Sequence, residues 1–563
     1  MNTVRPRVLV VGVIMADVPA LSGSITQALL ASSNFEVTMR WASLGRHAAP
    51  NDVADYVAFV EPTPREKFAL VNQLLEPDDL DVFDWVLVVD DDITIPSTWL
   101  DDYLALQSEA AIDFCQPART AESDISHAFT TAQPGFDARA TTFVEIGPVF
   151  SMNRRAATAL LPFDESWPMG WGMEAAWRRT CHEDGISMGI IDAYPVGHSF
   201  RKTTAIYSYD QTKRLMEDKL RNEGLDDIQS HQALTRIFVG GRWSSEPVSV
   251  GPDLRLSVVV ITRNRPTLVR RVLDSLADQS LRPGAYEVIV VDDGSDEPLD
   301  VTGIDTPSLR LFRQRPSGVA AARNLGLFAS TGEVVLFIDD DDWVATDCLA
   351  AILAAHRHWP SIGDVVLGRT VLDESLRFDF LLSHATSGRG GEIFNYSTFA
   401  PHAELTWREF WGGRVSVKRE FLMKNGIFNP VFDFGAEDIE LASRLRIYGL
   451  RVFYEPTVLH VLFRKLTLSD LLQRSYKQGR ALALFHRLHP HEEVFETTAR
   501  DPRVPVNLDE FQLEEFVKGG LQIQSELDET GIEARGPFRE LLDEALSGLS
   551  AIWFHRGFIE ESL

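Results

Sequence analysis

At 563 residues the chain is too long for one hydrophobic core, and its length favours about three domains. Hydrophobic residues at 45% and charged residues at 24% exclude a disordered or fibrous chain, and a formal net charge of −28 repels phosphate backbones, so no nucleic-acid partner is expected. Three scattered cysteines (Cys115, Cys181 and Cys348) make neither a disulfide framework nor a zinc-ligand spacing, and no stretch approaches the ~20 apolar residues of a membrane span. A cytoplasmic protein is expected, reaching at most the inner face of a membrane.

Strand-like apolar runs alternate with helical patterns, which reads as α/β with mostly parallel sheets. The first series defines a domain over residues 1–243. It opens on Val8-Leu-Val-Val-Gly-Val13, read as a buried first strand rather than a signal peptide because Asp17 follows closely. Further on, FDWVLVVDDD is a strand ending in Asp90, Asp91 and Asp92, and WPMGWGMEAAWRRTCHEDGI carries Glu174, with His198 beyond it. Trp167, Trp171 and Trp177 lie around that segment, where sugar stacking and core packing both remain open. The segment SSEPVSVGPD, rich in Ser, Pro and Gly, is the expected linker.

The second series, residues 254–465, begins with SVVVITRNRP, a strand running through Thr262 and Arg263 into a loop, followed by an amphipathic helix. YEVIVVDDGSDEP is a second strand, ending in Asp292 and Asp293. Ligands of open parallel sheets sit beyond the carboxyl ends of the strands, where a carboxylate can accept hydrogen bonds from a nucleobase imide or a ribose hydroxyl. SGVAAARNLGLFASTGEVVLFIDDDDW puts Arg323 and Asn324 at the opening of a helix and ends the next strand in Asp339, Asp340, Asp341 and Asp342. Four consecutive carboxylates repel one another unless a cation is bound, and oxygen ligands of this kind suit Mg²⁺ or Mn²⁺. GAEDIELASRL places Glu437 and Asp438 at a helix start, where helix capping and general-base catalysis are both open readings. His460, expected after the following strand, is either a metal ligand or a core histidine.

From Leu466 the pattern turns helical, giving a C-terminal region over 466–563 with no strand signal. Its apolar positions are expected to pack on the preceding domain, and its helices are the surface through which a homo-oligomer would form.

Taken together, TRNRP, VDDGS, IDDDD and GAEDIELASRL, in that order, resemble the inverting family 2 glycosyltransferases of the GT-A fold over about Leu256 to Arg464. The resemblance implies that Asp293 binds the nucleobase, with Thr262, Arg263, Asp292, Arg323 and Asp340 completing the nucleotide-sugar site. It implies that Asp339 and Asp341 form the DxD pair around the metal and diphosphate, joined by His460. Asp438 would be the catalytic base and Glu437 would place the acceptor.

The first half resembles the same architecture at lower fidelity. Asp90-Asp91-Asp92 echoes IDDDD, Gly172 and Glu174 align with Gly435 and Glu437, and His198 follows Glu174 at nearly the spacing at which His460 follows Glu437, which points to internal duplication. By this likeness Asp90, Asp92 and His198 are metal candidates and Glu174 serves the acceptor. Two departures stand out: FEVTMRWASLG replaces the strand carrying Asp292 and Asp293, and Ala175 replaces Asp438. The expectation is two tandem GT-A domains plus a helical region, forming a metal-dependent transferase with Mn²⁺ or Mg²⁺. Sugar would pass from a nucleotide-sugar, a UDP-sugar by default, to a hydroxyl of a glycan, lipid-linked or protein-linked acceptor, with one site per domain. The alternative is a single active C-terminal transferase whose N-terminal domain only binds glycan or nucleotide.

Overall fold

Strands whose side chains are covered on both faces read as unbroken apolar runs, and Val8–Val11 and Val258–Val260 are fully buried in this way. In the computed structural model, which describes residues 5–201, 209–225, 232–244, 255–306, 308–376, 380–386, 396–492, 509–529 and 537–562, these runs are the first strands of two sheets. The chain divides into two compact units, Met1–Pro247 and Val248–Leu563. Apart from Ser244, the expected linker lies outside the described residues.

The first unit holds β1 (Arg7–Met15), β2 (Glu36–Leu44), β3 (Val57–Glu61), β4 (Trp85–Asp90), β5 (Phe114–Arg119), β6 (Ala138–Thr141), β7 (Val149–Asn153), β8 (Met188–Val196), β9 (Leu234–Val239) and β10 (Arg242–Trp243). They form one sheet in the order β10-β9-β6-β8-β5-β7-β4-β1-β2-β3. The second unit holds β11 (Leu256–Thr262), β12 (Tyr286–Asp292), β13 (Leu309–Arg313), β14 (Val334–Asp339), β15 (Asp342–Val344), β16 (Asp364–Leu372), β17 (Glu404–Leu405), β18 (Val415–Lys418) and β19 (Arg451–Leu462). Its sheet runs β13-β12-β11-β14-β18-β16-β19-β15, with β17 paired to β19.

The duplication expected from the motifs is present in the topology. The run β3-β2-β1-β4-β7-β5-β8 has the same order and the same parallel and antiparallel pairings as β13-β12-β11-β14-β18-β16-β19. In both, four parallel strands deliver their carboxyl ends to one edge, the site-bearing position of an open sheet.

Helix Gly318–Ala329 is built from small residues, and a Cβ on its Gly326 would collide with Val259, so the helix lies close against β11. Arg323 and Asn324 therefore stand in mid-helix rather than at its opening, because the helix begins at Gly318, whose amide donates to Asp293. His460 lies inside β19 rather than after it, at zero exposure.

The C-terminal region is helical: Leu468–Leu488, Glu510–Glu529 and Pro537–Ser562. No described helix is long and apolar enough to cross a membrane. The first of the three is started by a capping box between Thr467 and Asp470. It crosses the last where Gly479 faces the Phe554 carbonyl and Gly557 faces the Tyr476 carbonyl, and a Cβ at either position would collide with that backbone. Gly479→Leu should therefore pry the helices apart and lower unfolding stability by about 1–3 kcal/mol in denaturant titration. Unchanged stability would show that this crossing does not hold the region together.

Candidate active site

Four carboxylates on one turn must each find positive charge or a donor, and in the second unit arginines supply most of it. Asp339, ending β14, pairs with Arg323 Nη2 (3.1 Å) and Arg414 Nη1 (3.7 Å). Burial pushes its carboxyl up, but Arg323 and Arg414 together hold it below the ordinary value. Asp340 accepts from Thr262 Oγ1 (2.8 Å) and Arg265 Nη1 (2.7 Å), tying the end of β14 to the end of β11. Asp341 lies between Arg464 (3.6 Å) and Arg265 (3.8 Å), and buried Asp342 meets Arg414 Nη2 at 2.7 Å. Burial shifts Asp340 and Asp342 upward, and the charge of Asp341 adds to both shifts.

Arg323 joins this turn to the second acidic motif, since its Nη1 donates to Glu437 Oε1 at 2.7 Å. Glu437 opens helix Glu437–Leu445 behind Ala436, a non-glycine residue at φ 58°, which is the strained backbone typical of a functional turn. Its Oε2 is buried with no hydrogen-bond partner among the described residues, and burial, then the charge of Asp438, pushes its carboxyl up. Asp438 accepts the Gly412 amide on Oδ2 (2.9 Å) and its neighbour Ile439's amide on Oδ1 (2.8 Å), which sets the orientation of its carboxylate. Side chains at Gly412 and Gly413 would collide with Arg323 and Asp339, so the glycines let this loop touch both motifs. Five of the expected residues (Asp339, Asp341, Arg323, Glu437 and Asp438) thus belong to one electrostatic cluster.

At the neighbouring strand ends, Asp293 accepts from Gln314 (2.8 Å) and from the amides of Ser317 (2.8 Å) and Gly318 (3.0 Å), so it also caps a helix. Burial nonetheless raises its pKa. Asp292 is fully buried, accepts the Ser295 amide (2.8 Å) and keeps Oδ2 without a hydrogen bond. Arg263 is among the charges that favour ionised Asp293.

Among the described residues no three His, Cys, Asp or Glu side chains form a ready metal cluster. The donor set still fits a hard divalent cation held by one or two carboxylates and completed by substrate oxygens. Both ring nitrogens of His460 are buried without a partner, and burial, aided by Arg414, holds its pKa down to about 3, leaving the neutral imidazole that can donate a lone pair. Asp339 is the carboxylate acting on it.

The first unit solves the same problem with other cations. Asp90 pairs with Lys67 (2.6 Å), whose Nζ also donates to the Ile146 carbonyl. Asp91 accepts the Met15 amide (2.7 Å) and pairs with Arg201, and burial brings it up to about 6. Asp92 lies between His198 Nε2 (3.3 Å) and Arg201 (3.2 Å), which outweigh its burial and lower its pKa. Glu174 opens helix Met173–Glu183 after Gly172 at φ 92°, accepts the Gly172 amide (3.1 Å), and is pushed up to about 7 by burial and by the charge of Glu145. Gly147 stands two residues before β7 as Gly413 stands two before β18, and a Cβ there would lie 3.1 Å from Asp90. At the end of β2, where the second unit has Asp293, Gly45 packs instead against Asp17, which accepts the Arg46 (2.8 Å) and His47 (3.0 Å) amides. Of the three tryptophans, Trp167 and Trp177 are core residues, the latter among Phe68, Phe114, Phe150 and Phe163, while Trp171 remains partly exposed.

Lys67, Arg201 and Arg414 lie outside every motif, and Arg265 lies within TRNRP but has no carboxylate nearby in sequence, so spatial pairing alone reveals the role of all four.

Residues 257–420 match the family model described as Glycosyl transferase family 2. The chain is 32% identical over 220 residues to validoxylamine A glucosyltransferase of Streptomyces hygroscopicus subsp. limoneus, covering 35% of this chain and 48% of that protein. It is 31% identical over 268 residues to the pre-mycofactocin glycosyltransferase of Mycobacterium tuberculosis, covering 46% and 53% respectively. The chain thus spans about half the length of these curated relatives. Among solved structures, the mannosyltransferase PcManGT of Pyrobaculum calidifontis in complex with GDP-Man and Mn²⁺ is 21% identical, with a TM-score of 0.34, over 56% of this chain and 89% of that one.

A carboxyl raised from 4.5 to about 7 keeps its proton in the folded state while the unfolded chain loses it, so stability is full below about pH 4.5 and is lost as pH rises through 7. Glu174→Gln should therefore outlast the parent in urea at about pH 8 by on the order of 1–3 kcal/mol, and by little at about pH 5. An equal difference at both pH values would show that Glu174 does not hold that proton.

Proposed function

We propose that this chain, whose residues 257–420 match the family model described as Glycosyl transferase family 2, moves a sugar from a nucleotide-sugar donor, a UDP-sugar by default, to a hydroxyl of a glycan or glycoconjugate. The observation that carries this reading is the Asp339–Arg323–Glu437 bridge, which joins the strand-end carboxylates to the pair at the helix start.

In this reading the acceptor oxygen attacks the anomeric carbon, the bond from that carbon to the diphosphate breaks with inversion, and the hydroxyl proton passes to Asp438. Glu437 offers the acceptor an unpaired Oε2. Asp292 and Asp293 take the nucleoside beside Thr262 and Arg263, with Asp340 fastening Thr262 in place. A divalent cation, Mn²⁺ or Mg²⁺, held by Asp339 and Asp341 with His460, would supply charge neutralisation for the leaving diphosphate.

The first domain is assigned a separate site on Asp90, Asp92, Glu174 and His198, because the seven-strand topology and the glycine contact at Asp90 repeat those of the second. With Ala175 where Asp438 would stand, Glu174 serves the acceptor there. A domain that only binds glycan or nucleotide is the competing reading, favoured by the hold of Arg201 on both Asp91 and Asp92.

Asp438→Asn keeps size and removes the base, so kcat should fall on the order of 10²-fold or more while nucleotide affinity holds. Lost nucleotide binding with chemistry intact would remove Asp438 from that role. Asp90→Ala combined with Asp92→Ala, assayed on acceptors that separate one added sugar from two, should abolish one linkage and spare the other. An unchanged product would make the first domain a binding module, and loss of both linkages would mean one composite site.

A further inference from the structure

Three buried guanidinium groups of the second unit meet carboxylates, Arg310 with Glu287 at 2.6 Å, Arg323 with Glu437 at 2.7 Å and Arg414 with Asp342 at 2.7 Å, while buried Arg419 donates its Nε to Ser330 Oγ at 3.3 Å. Arg474, on helix Leu468–Leu488, is different. Its Nε is sealed from solvent without a hydrogen-bond partner, and the residue makes no ion pair among the described residues. The guanidinium carbon lies 5.6 Å from the ring centroid of Phe434, one residue before Gly435 of the GAED turn. The carboxylates acting on it are Asp339, Asp341 and Glu437, with Arg414 as a like charge.

The helix is seated firmly at this place. Gly435 packs on Gln478 and Ala481, and Ala481, Leu482 and Phe485 share a core with Phe432, Ala436 and Ile439. Arg474 is half-buried, and its sealed Nε, anchored there with no hydrogen-bond acceptor, leaves the desolvation of that donor uncompensated while the rest of the fork stays open to a ligand. The ligand that offsets it must bring several anionic oxygens to the space beside the DxD carboxylates, and a diphosphate does so while matching the fork of an arginine.

We propose that Arg474 binds the diphosphate of the nucleotide donor, so that the first helix of the C-terminal region is a wall of the second domain's donor site. This rests on the glycosyltransferase reading and adds a residue to it.

The test uses the full chain with excess Mg²⁺, titrated calorimetrically with UDP and with GDP and, by competition, with uridine. Arg474→Ala should weaken UDP about tenfold or more and leave uridine within about twofold, with Arg474→Lys falling between parent and alanine variant. Unchanged UDP affinity in Arg474→Ala overturns the assignment. So does an equal loss for UDP and uridine accompanied by a lowered Tm, which is the mark of a purely structural residue. A parent chain that binds neither UDP nor GDP overturns the donor reading beneath it instead.

Discussion

A guanidinium removed from water has to be met by negative charge, and Arg323 is met on two sides, by Asp339 at the end of β14 and by Glu437 at the start of a helix. Much of the second domain's site follows from that contact. The helix carrying Arg323 must lie close to β11, which its alanines and Gly326 permit, and the loop crossing above must lack side chains, which Gly412 and Gly413 provide. Buried ion pairs of this kind contribute little net stability against well-packed apolar residues. They hold mutually repelling carboxylates in one geometry.

The first domain keeps the frame and changes the charges. The same seven strands present Asp90, Asp91 and Asp92 at the same edge, but Lys67 and Arg201 replace the arginines that steady the second site. Asp17 reaches the end of β2 from the loop after β1, standing near the place that Asp293 occupies in the second domain.

The C-terminal helices pack on the second unit's acidic turn as well as on one another. Glycine contacts between Leu468–Leu488 and Pro537–Ser562 bring backbones together, and the apolar side of the first helix rests on the turn that positions Glu437 and Asp438. His489 and Arg444 hold Glu440 of that same short helix at 3.0 and 2.8 Å. A shift of the C-terminal region would therefore be felt directly at the acidic pair.

Sequence alone determined the local features: which runs are strands, that their ends carry carboxylates, that Glu437 and Asp438 begin a helix, and that one plan is used twice. These follow from nearest-neighbour chemistry, in which a buried strand must be apolar and a helix start favours acid, so adjacent residues suffice to read them. The start of helix Gly318–Ala329 was misjudged because its cap, Asp293, comes from another element. His460 was placed beyond its strand because β19 continues through Pro456, a residue that interrupts the strand pattern. The neutralising partners were decided only in three dimensions. Arg414, Lys67, Arg201 and Arg474 stand far along the chain from the carboxylates whose charge they feel, and a Coulomb interaction depends on distance in space, which no spacing in the sequence records.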